Sequence, residues 1–212
     1  MFPRTKSRKG ISAVLTTMII LVASVVLGTG VVLYGTSLFQ TNAQSEGIAT
    51  SGVKMWVDQT NPIAWGAAAI RNTGDKLVSV DNIQVRGTTI PYTNWYADTD
   101  TTRVTNANFQ SQFIYTGIDA QGMLADSTAN TGNCNAVTGT KITMDEDGAG
   151  ANPTLCLLQK SGPVSLKPGE KMIVYFRVPD GILSPVDTGS TSTVNIFAGK
   201  TGAPTSVTVG NS

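Results

Sequence analysis

The sequence contains no histidine, so it lacks the side chain that most often acts as a general base and as a metal ligand. Ser-His-Asp and Cys-His arrangements are therefore excluded, and GxSxG, glycine-rich phosphate loops and CxxC are absent too. Only 14% of the residues are charged and the formal net charge is +1, so no strong field favours nucleic acid. These absences predict that the chain is not an enzyme and uses no cofactor, metal ion or nucleic acid.

Cysteine is scarce as well, because Cys134 and Cys156 are the only two thiols. An even number of cysteines outside the cytosol favours a disulfide. This one would close a loop of about 22 residues, which the chain-entropy model values at roughly 3 kcal/mol. Two buried free thiols are the alternative, and a zinc site built on two cysteines without histidine is disfavoured.

Acidic side chains are dense at one place only, where Asp145, Glu146 and Asp147 precede Gly148. Oxygen-rich loops can bind calcium, but this spacing is not that of an EF-hand. A run of charges is more often a solvated turn, and we expect one here, without a metal ion.

Charge is completely absent from residues 11–39. A helix of this length would measure about 43 Å, which exceeds the roughly 30 Å of a bilayer core. The apolar run is about twice as long as that of a secretory signal, and no A-x-A cleavage site follows it. The basic residues before it keep the N-terminus in the cytoplasm and place the rest of the chain outside: Arg4, Lys6, Arg8 and Lys9.

Small residues interrupt the apolar run at spacings that allow close helix contact. Ser24 and Gly28 are four residues apart, which is the small-xxx-small spacing of helices that approach closely in membranes. Gly30 and Gly35 add two further positions without a side chain. A lone membrane anchor does not need these residues, so they predict packing between helices.

The junction of Arg8, Lys9 and Gly10 with the apolar run resembles the class III signal of archaeal flagellins and type IV pilins. The following run VVLYGTSLFQTNAQSEGIATSGVKMWV is similar to the helix exit of archaeal flagellins. The resemblance implies that a prepilin-type signal peptidase cuts between Gly10 and Ile11 and that the helix stays in the mature chain. Bacterial type IV pilins carry glutamate at the fifth mature position. Here that position is Leu15, and the adhesive-pilin start Ser-Pro-Val-Ile-Gly is also missing, so the archaeal flagellin is favoured.

The rest of the chain alternates short apolar segments with turns rich in Gly, Pro, Asn and Asp, which is typical of a β-sandwich. The segments IRNTG and LKPGE resemble hairpin ends of immunoglobulin-like domains in archaeal filament proteins. Residues 97–153 are polar and are expected to form an insertion on the outer surface, held by the Cys134–Cys156 bridge. Strands are predicted at residues 53–58, 64–72, 77–86, 109–116, 141–144, 154–158, 171–178, 192–197 and 206–209.

The predicted fold class is therefore α+β, a long N-terminal hydrophobic helix followed by an immunoglobulin-like antiparallel β-sandwich. The expected division is a cleaved signal at 1–10, a polymerisation helix at 11–50 and a head domain at 51–212. The resemblance implies a structural subunit of the archaeal flagellum, located at the cell surface and inserted in the membrane before assembly. Its expected partners are identical or similar subunits, the peptidase and a membrane assembly machinery. The alternatives are a subunit of an adhesive pilus and a membrane-anchored surface domain that binds a ligand.

Overall fold

The computed structural model describes residues 8–42, 46–110, 113–127, 134–146 and 153–211. The chain divides after Gln44 into two compact units. The first contains helix α1, Arg8–Asn42, in which the 27 residues Ser12–Leu38 are long and apolar enough to cross a membrane. Three glycines, Gly28, Gly30 and Gly35, lie in the interior of this helix, and each costs about 1 kcal/mol of helix propensity in water. A medium without water favours the helix despite these glycines, because the backbone N–H and C=O groups must then form hydrogen bonds within the segment.

The second unit is built on β-strands, whose bounds in the described residues are as follows. They are β1 Ile48–Val57, β2 Ala64–Asn72, β3 Val78–Val85, β4 Thr88–Thr89, β5 Trp95–Asp98, β6 Lys141–Met144, β7 Leu155–Gln159, β8 Val164–Leu166, β9 Lys171–Val178, β10 Thr191–Ala198 and β11 Thr201–Asn211. A short helix α2 spans Asn106–Gln110, and single 3-10 turns span Tyr92–Asn94 and Pro185–Asp187.

These strands form one large, mostly antiparallel sheet in the order β4-β3-β10-β11-β1-β2-β9-β5-β7-β6, with β8 paired to β3. Strands β1 and β11 run parallel, and Met55 lies opposite Val209. A long apolar helix followed by this sheet agrees with the predicted α+β class. The immunoglobulin-like sandwich is not confirmed.

The inner core collects side chains from strands that are far apart in the sheet. Ile83 of β3 and Ile196 of β10 belong to the same buried cluster as Phe176 of β9 and Trp95 of β5. The sheet therefore curls around a common interior. Gly66 of β2 is required there, because a Cβ at this position would lie 2.4 Å from the ring of Phe176.

A second core covers the other face of the same strands. Trp65, Tyr96 and Tyr175 are buried there together with Phe113 and Leu157 from the segment around the disulfide. In the sequence, Met172, Val174 and Phe176 alternate with Lys171, Ile173 and Tyr175, which predicts a strand with one buried and one exposed face. That prediction is wrong, because Ile173 and Tyr175 are as buried as the residues of the inner face.

The strand predicted at residues 109–116 is also wrong. Helix α2 ends at Gln110, and residues 113–116 contain no strand. The reason is local, because Thr105 Oγ1 accepts the backbone N–H of Asn108 at 3.3 Å and caps a helical turn.

Strands β4, β5 and β8, in contrast, were not predicted. Strand β5 pairs with β9, where Asp98 lies opposite Ile173.

The disulfide predicted from the cysteine count joins Cys134 and Cys156, whose Cα atoms are 5.5 Å apart. It connects residue 134 to strand β7. The insertion expected at residues 97–153 therefore contributes both an edge strand, β6, and much of the outer core.

Candidate functional site

The surface of helix α1 is the candidate functional site, because Ser12–Leu38 carries no charge and its apolar side chains are exposed. Its large apolar side chains from Val14 to Tyr34 are between 56% and 72% exposed. Apolar surface of this extent marks a protein that contacts a membrane or other chains. The side chains concerned are Val14, Leu15, Met18, Ile19, Ile20, Leu21, Val22, Val25, Val26, Leu27, Val31, Val32, Leu33 and Tyr34.

The hydroxyl side chains of the helix are compatible with an apolar medium. Thr16, Thr17, Ser24, Thr29 and Thr36 each donate a hydrogen bond to a backbone carbonyl three or four residues earlier, at 2.8 to 3.0 Å. Such bonds satisfy a hydroxyl without water. These five residues therefore add little cost when the helix lies in lipid or against other helices.

The predicted packing residues do not all share one face of the helix. At about 100° per residue, Ser24, Gly28 and Gly35 fall within roughly 40° of one another. Gly30 was grouped with them, but it lies about 160° round the axis from Gly28. The helix therefore carries one stripe of small residues, which is formed by Ser24, Gly28 and Gly35, and Gly30 is outside it.

No contact with the described part of the chain explains these glycines. A Cβ built at Gly28, Gly30 or Gly35 meets nothing within 4 Å. Glycine is unfavourable inside a helix, so its presence needs a cause. On the stripe, a second helix at close distance would be such a cause.

The predicted processing site is the bond between Gly10 and Ile11. Both residues belong to the backbone of α1, close to its first residue, Arg8. The first turn of a helix has unsatisfied N–H groups and frays readily. Cleavage at this bond stays a prediction.

The acidic cluster was expected to be a solvated turn, and that expectation is wrong for the part that is described. Asp145 and Glu146 are buried, whereas Asp147 and Gly148 lie outside the described residues. Burial raises the pKa of the Tyr175 hydroxyl well above its usual value, and the charge of Glu146 raises it further. Within the described residues, no group of three or more His, Cys, Asp or Glu side chains could hold a metal ion.

Sequence reasoning missed three polar contacts that hold the second unit together. Asp98 Oδ2 accepts hydrogen bonds from Arg103 Nε at 2.7 Å and from the backbone N–H of Cys156 at 2.8 Å. Glu46 Oε2 accepts the backbone N–H of Lys200 at 3.1 Å. The contacts with Cys156 and Lys200 have no local signal in the sequence, because these residues are distant along the chain from Asp98 and Glu46.

No protein-family model matches the chain, and no curated protein matches it. Among solved structures, a β-glucosidase from Erythrobacter marinus is similar at 14% identity and a TM-score of 0.25, over 77% of this chain and 15% of that one. A β-glucosidase from Listeria innocua, in complex with glucose, is similar at 12% identity and a TM-score of 0.26, over 79% of this chain and 16% of that one. Similarities at these TM-scores carry no argument about fold or activity.

Proposed function

We propose that this chain is a structural subunit of an archaeal extracellular filament, the archaeal flagellum, and that it polymerises through α1. The observation that carries the proposal is the exposed helix, uncharged from Ser12 to Leu38, with its stripe of Ser24, Gly28 and Gly35; a Cβ at either glycine would meet nothing within 4 Å among the described residues. In this proposal the residues after the helix form an immunoglobulin-like head on the filament surface. The disulfide between Cys134 and Cys156 suits an oxidising, extracellular location.

Before assembly the helix lies in the membrane, and afterwards it lies in a bundle of identical helices. Both surroundings are apolar, so the transfer itself gains little hydrophobic free energy. Close packing along the small-residue stripe supplies the preference, and an assembly machinery supplies the work of extraction. A subunit that contacts its neighbours through two different faces forms an open polymer that grows without closing.

Release of a subunit from the bundle into water is strongly unfavourable. It would expose about fifteen large apolar side chains, each worth roughly 1.5–3 kcal/mol. The total is several tens of kcal/mol as an upper bound. The assembled filament is therefore kinetically stable.

The first experiment determines the N-terminus of the mature chain and tests whether cells that make the chain carry filaments. We expect mass spectrometry to find a chain that starts at Ile11, and electron microscopy to find filaments that disappear when the gene is deleted. Gly10→Val should leave a full-length precursor in the membrane and no filaments.

Other outcomes favour other functions. A mature chain that keeps Arg4 to Gly10 and forms no filaments would indicate a membrane-anchored surface domain. If the chain forms filaments but the deletion strain swims normally, the filament is an adhesive pilus. A chain that starts near residue 45 would exclude polymerisation through the helix.

A further inference from the structure

A groove of about 530 Å³ lies in the second unit, between the segment that follows β5 and the turn between β8 and β9. Its volume is within the range of small-molecule sites, about 300–1,000 Å³. One wall comes from residues between Thr101 and Asn106, and the other comes from the residues Pro168 to Lys171. The helix α1 contributes nothing to this groove, so the proposed function does not account for it.

Lys171 is held at the groove by two contacts. Its Nζ donates a hydrogen bond to Asn106 Oδ1 and lies over the ring of Phe109, 5.4 Å from the ring centre. Both contacts favour the charged ammonium, but neither supplies a negative charge. An ammonium group has three N–H donors, so Lys171 keeps donors for a ligand.

A second cation lies beside Lys171. In the antiparallel pairing of β2 with β9, Arg71 is directly opposite Lys171, and residues in this position share one face of the sheet. Like charges that are directly opposite each other reduce stability. The ion pairs found among the described residues involve other cations, namely Arg86, Arg103, Lys167 and Arg177. Arg71 and Lys171 therefore form a doubly positive site, which a bound anion would stabilise.

The acidic side chains around the groove are bonded to other partners. Glu170, on the groove wall, accepts the backbone N–H of Lys167 at 2.7 Å and lies 3.6 Å from the ammonium of Lys167. Asp98 and Asp100 are both bonded to Arg103. Four basic side chains against three acidic ones give this region a net charge of +1: Arg71, Arg103, Lys167, Lys171, Asp98, Asp100 and Glu170.

The surrounding charges do not change this balance. Asp75 is followed by Lys76, and Glu46 accepts the backbone N–H of Lys200, so each of these two pairs adds no net charge. The surplus of positive charge thus remains with the two cations that form no ion pair in the described part of the chain. Charge complementarity at the groove favours an anion.

The other side chains that line the groove suit a sugar ring. Thr101, Thr105 and Asn106 supply two hydroxyl groups and an amide, which form hydrogen bonds with the hydroxyls of a ligand. Val104 and Pro168 supply apolar surface, against which the C–H groups of a ring can pack. A ligand that combines ring hydroxyls with a carboxylate therefore matches this groove better than a bare inorganic anion.

We propose that the groove binds an acidic sugar, with its carboxylate at Lys171 and Arg71 and its ring hydroxyls at Thr101, Thr105 and Asn106. Hydrogen bonds between a cation and a carboxylate are about twice as strong as neutral ones, so the carboxylate supplies much of the affinity. The inference goes beyond the proposed function, because the site lies in the second unit and does not require polymerisation.

The test is isothermal titration calorimetry of the full-length chain in detergent with digalacturonate. We expect saturable binding, and the dimethyl ester of digalacturonate, which keeps the ring hydroxyls but has no charge, should bind at least about tenfold more weakly. Lys171→Gln should weaken the binding of digalacturonate about tenfold, because one charge-assisted hydrogen bond is lost. Lys76→Gln is the matched control, because it removes the same charge at the same end of the sheet but does not line the groove. It should change the affinity less than about twofold.

Arg71→Gln is a second variant that leaves the groove lining intact, and it should weaken binding about threefold. Thermal unfolding of each variant shows whether it is folded. No saturable binding at about 10 mM digalacturonate would overturn the site, and equal binding of the ester would overturn the role of the two cations. Equal losses from Lys171→Gln and Lys76→Gln would overturn the specific contact, and phosphate that binds as tightly as digalacturonate would overturn the sugar. None of these measurements requires filaments, so failure of the proposed function would leave the test unchanged.

Discussion

Asp98 joins three parts of the outer layer of the second unit. Its buried carboxylate accepts hydrogen bonds from Arg103 and from the backbone N–H groups of Asp100 and Cys156, all at 3.1 Å or less. It thus connects β5, the turn after β5 and the disulfide-bearing strand β7. A buried charge with several partners is costly to disturb, because the remaining partner keeps an uncompensated charge.

We expect Asp98→Asn to lower the free energy of unfolding by about 3 kcal/mol, as for other broken buried ion pairs. Asp180→Asn is the matched control, because Asp180 is 71% exposed and its contact with Arg177 is 3.7 Å long. That variant should cost under about 1 kcal/mol. Thermal unfolding of the full-length chain in detergent compares the two, and equal midpoints would contradict the role assigned to Asp98.

Asp187 gives the 3-10 turn Pro185–Asp187 a dependence on pH. Hydrogen bonds from Arg86 and Ser184 lower the pKa of Asp187 from its ordinary value of 3.8. A lowered pKa in the folded state means that the stabilisation is present above pH 3.8 and is lost as the pH falls through the folded-state value. The protection of the amides of residues 184 and 186–190 against hydrogen exchange, taken relative to the intrinsic exchange rate at each pH, should therefore be high at neutral pH and fall in acid below that range. In Asp187→Asn the protection should be low at both pH values, and high protection in this variant would contradict the role assigned to Asp187.

Among the elements, α1 carries the proposed function, and its two classes of glycine allow a controlled comparison. Gly28→Leu and Gly30→Leu add the same side chain to the same helix, and a Cβ at either position meets no atom of the described residues within 4 Å. If close contact runs along the stripe, Gly28→Leu should abolish filaments whereas Gly30→Leu should reduce them much less. Electron microscopy of cells measures both, and membrane levels of each chain check that it is made. Equal effects of the two substitutions would count against the stripe.

Elements differed in how well the sequence predicted them, for physical reasons. The strands expected at 64–72, 141–144 and 171–178 have the bounds of β2, β6 and β9, because apolar and β-branched residues there are bounded by turn residues. The lack of charge in residues 11–39 was sufficient to predict a long apolar helix where α1 lies. Strand β5 was missed because its pairing depends on β9, far along the chain, and the outer core was missed because burial of Tyr175 requires the remote Phe113.

The candidate site was predictable to a similar degree. The spacing of Ser24, Gly28 and Gly35 is sufficient to place them on one face, and the same arithmetic separates Gly30. The ion pair that holds the turn Pro185–Asp187 was not predictable from the sequence, because Asp187 and its partner Arg86 are 101 residues apart. Long-range polar contacts of this kind leave no periodic pattern in a sequence.

For the molecule as a whole, the proposed assembly makes opposite predictions for salt and for detergent. Helix α1 has no charged residue between Ser12 and Leu38, so contacts between such helices do not depend on ion pairs. At 1 M salt, electrostatic contacts are screened beyond about 3 Å, whereas apolar contacts persist. Isolated filaments should therefore keep their length in 1 M sodium chloride and dissociate in a detergent that can surround the helix. Electron microscopy and sedimentation measure both, and the head disulfide should remain closed throughout. Filaments that dissolve in salt but resist detergent would mean that polar contacts between the second units, and not the helices, hold the subunits together.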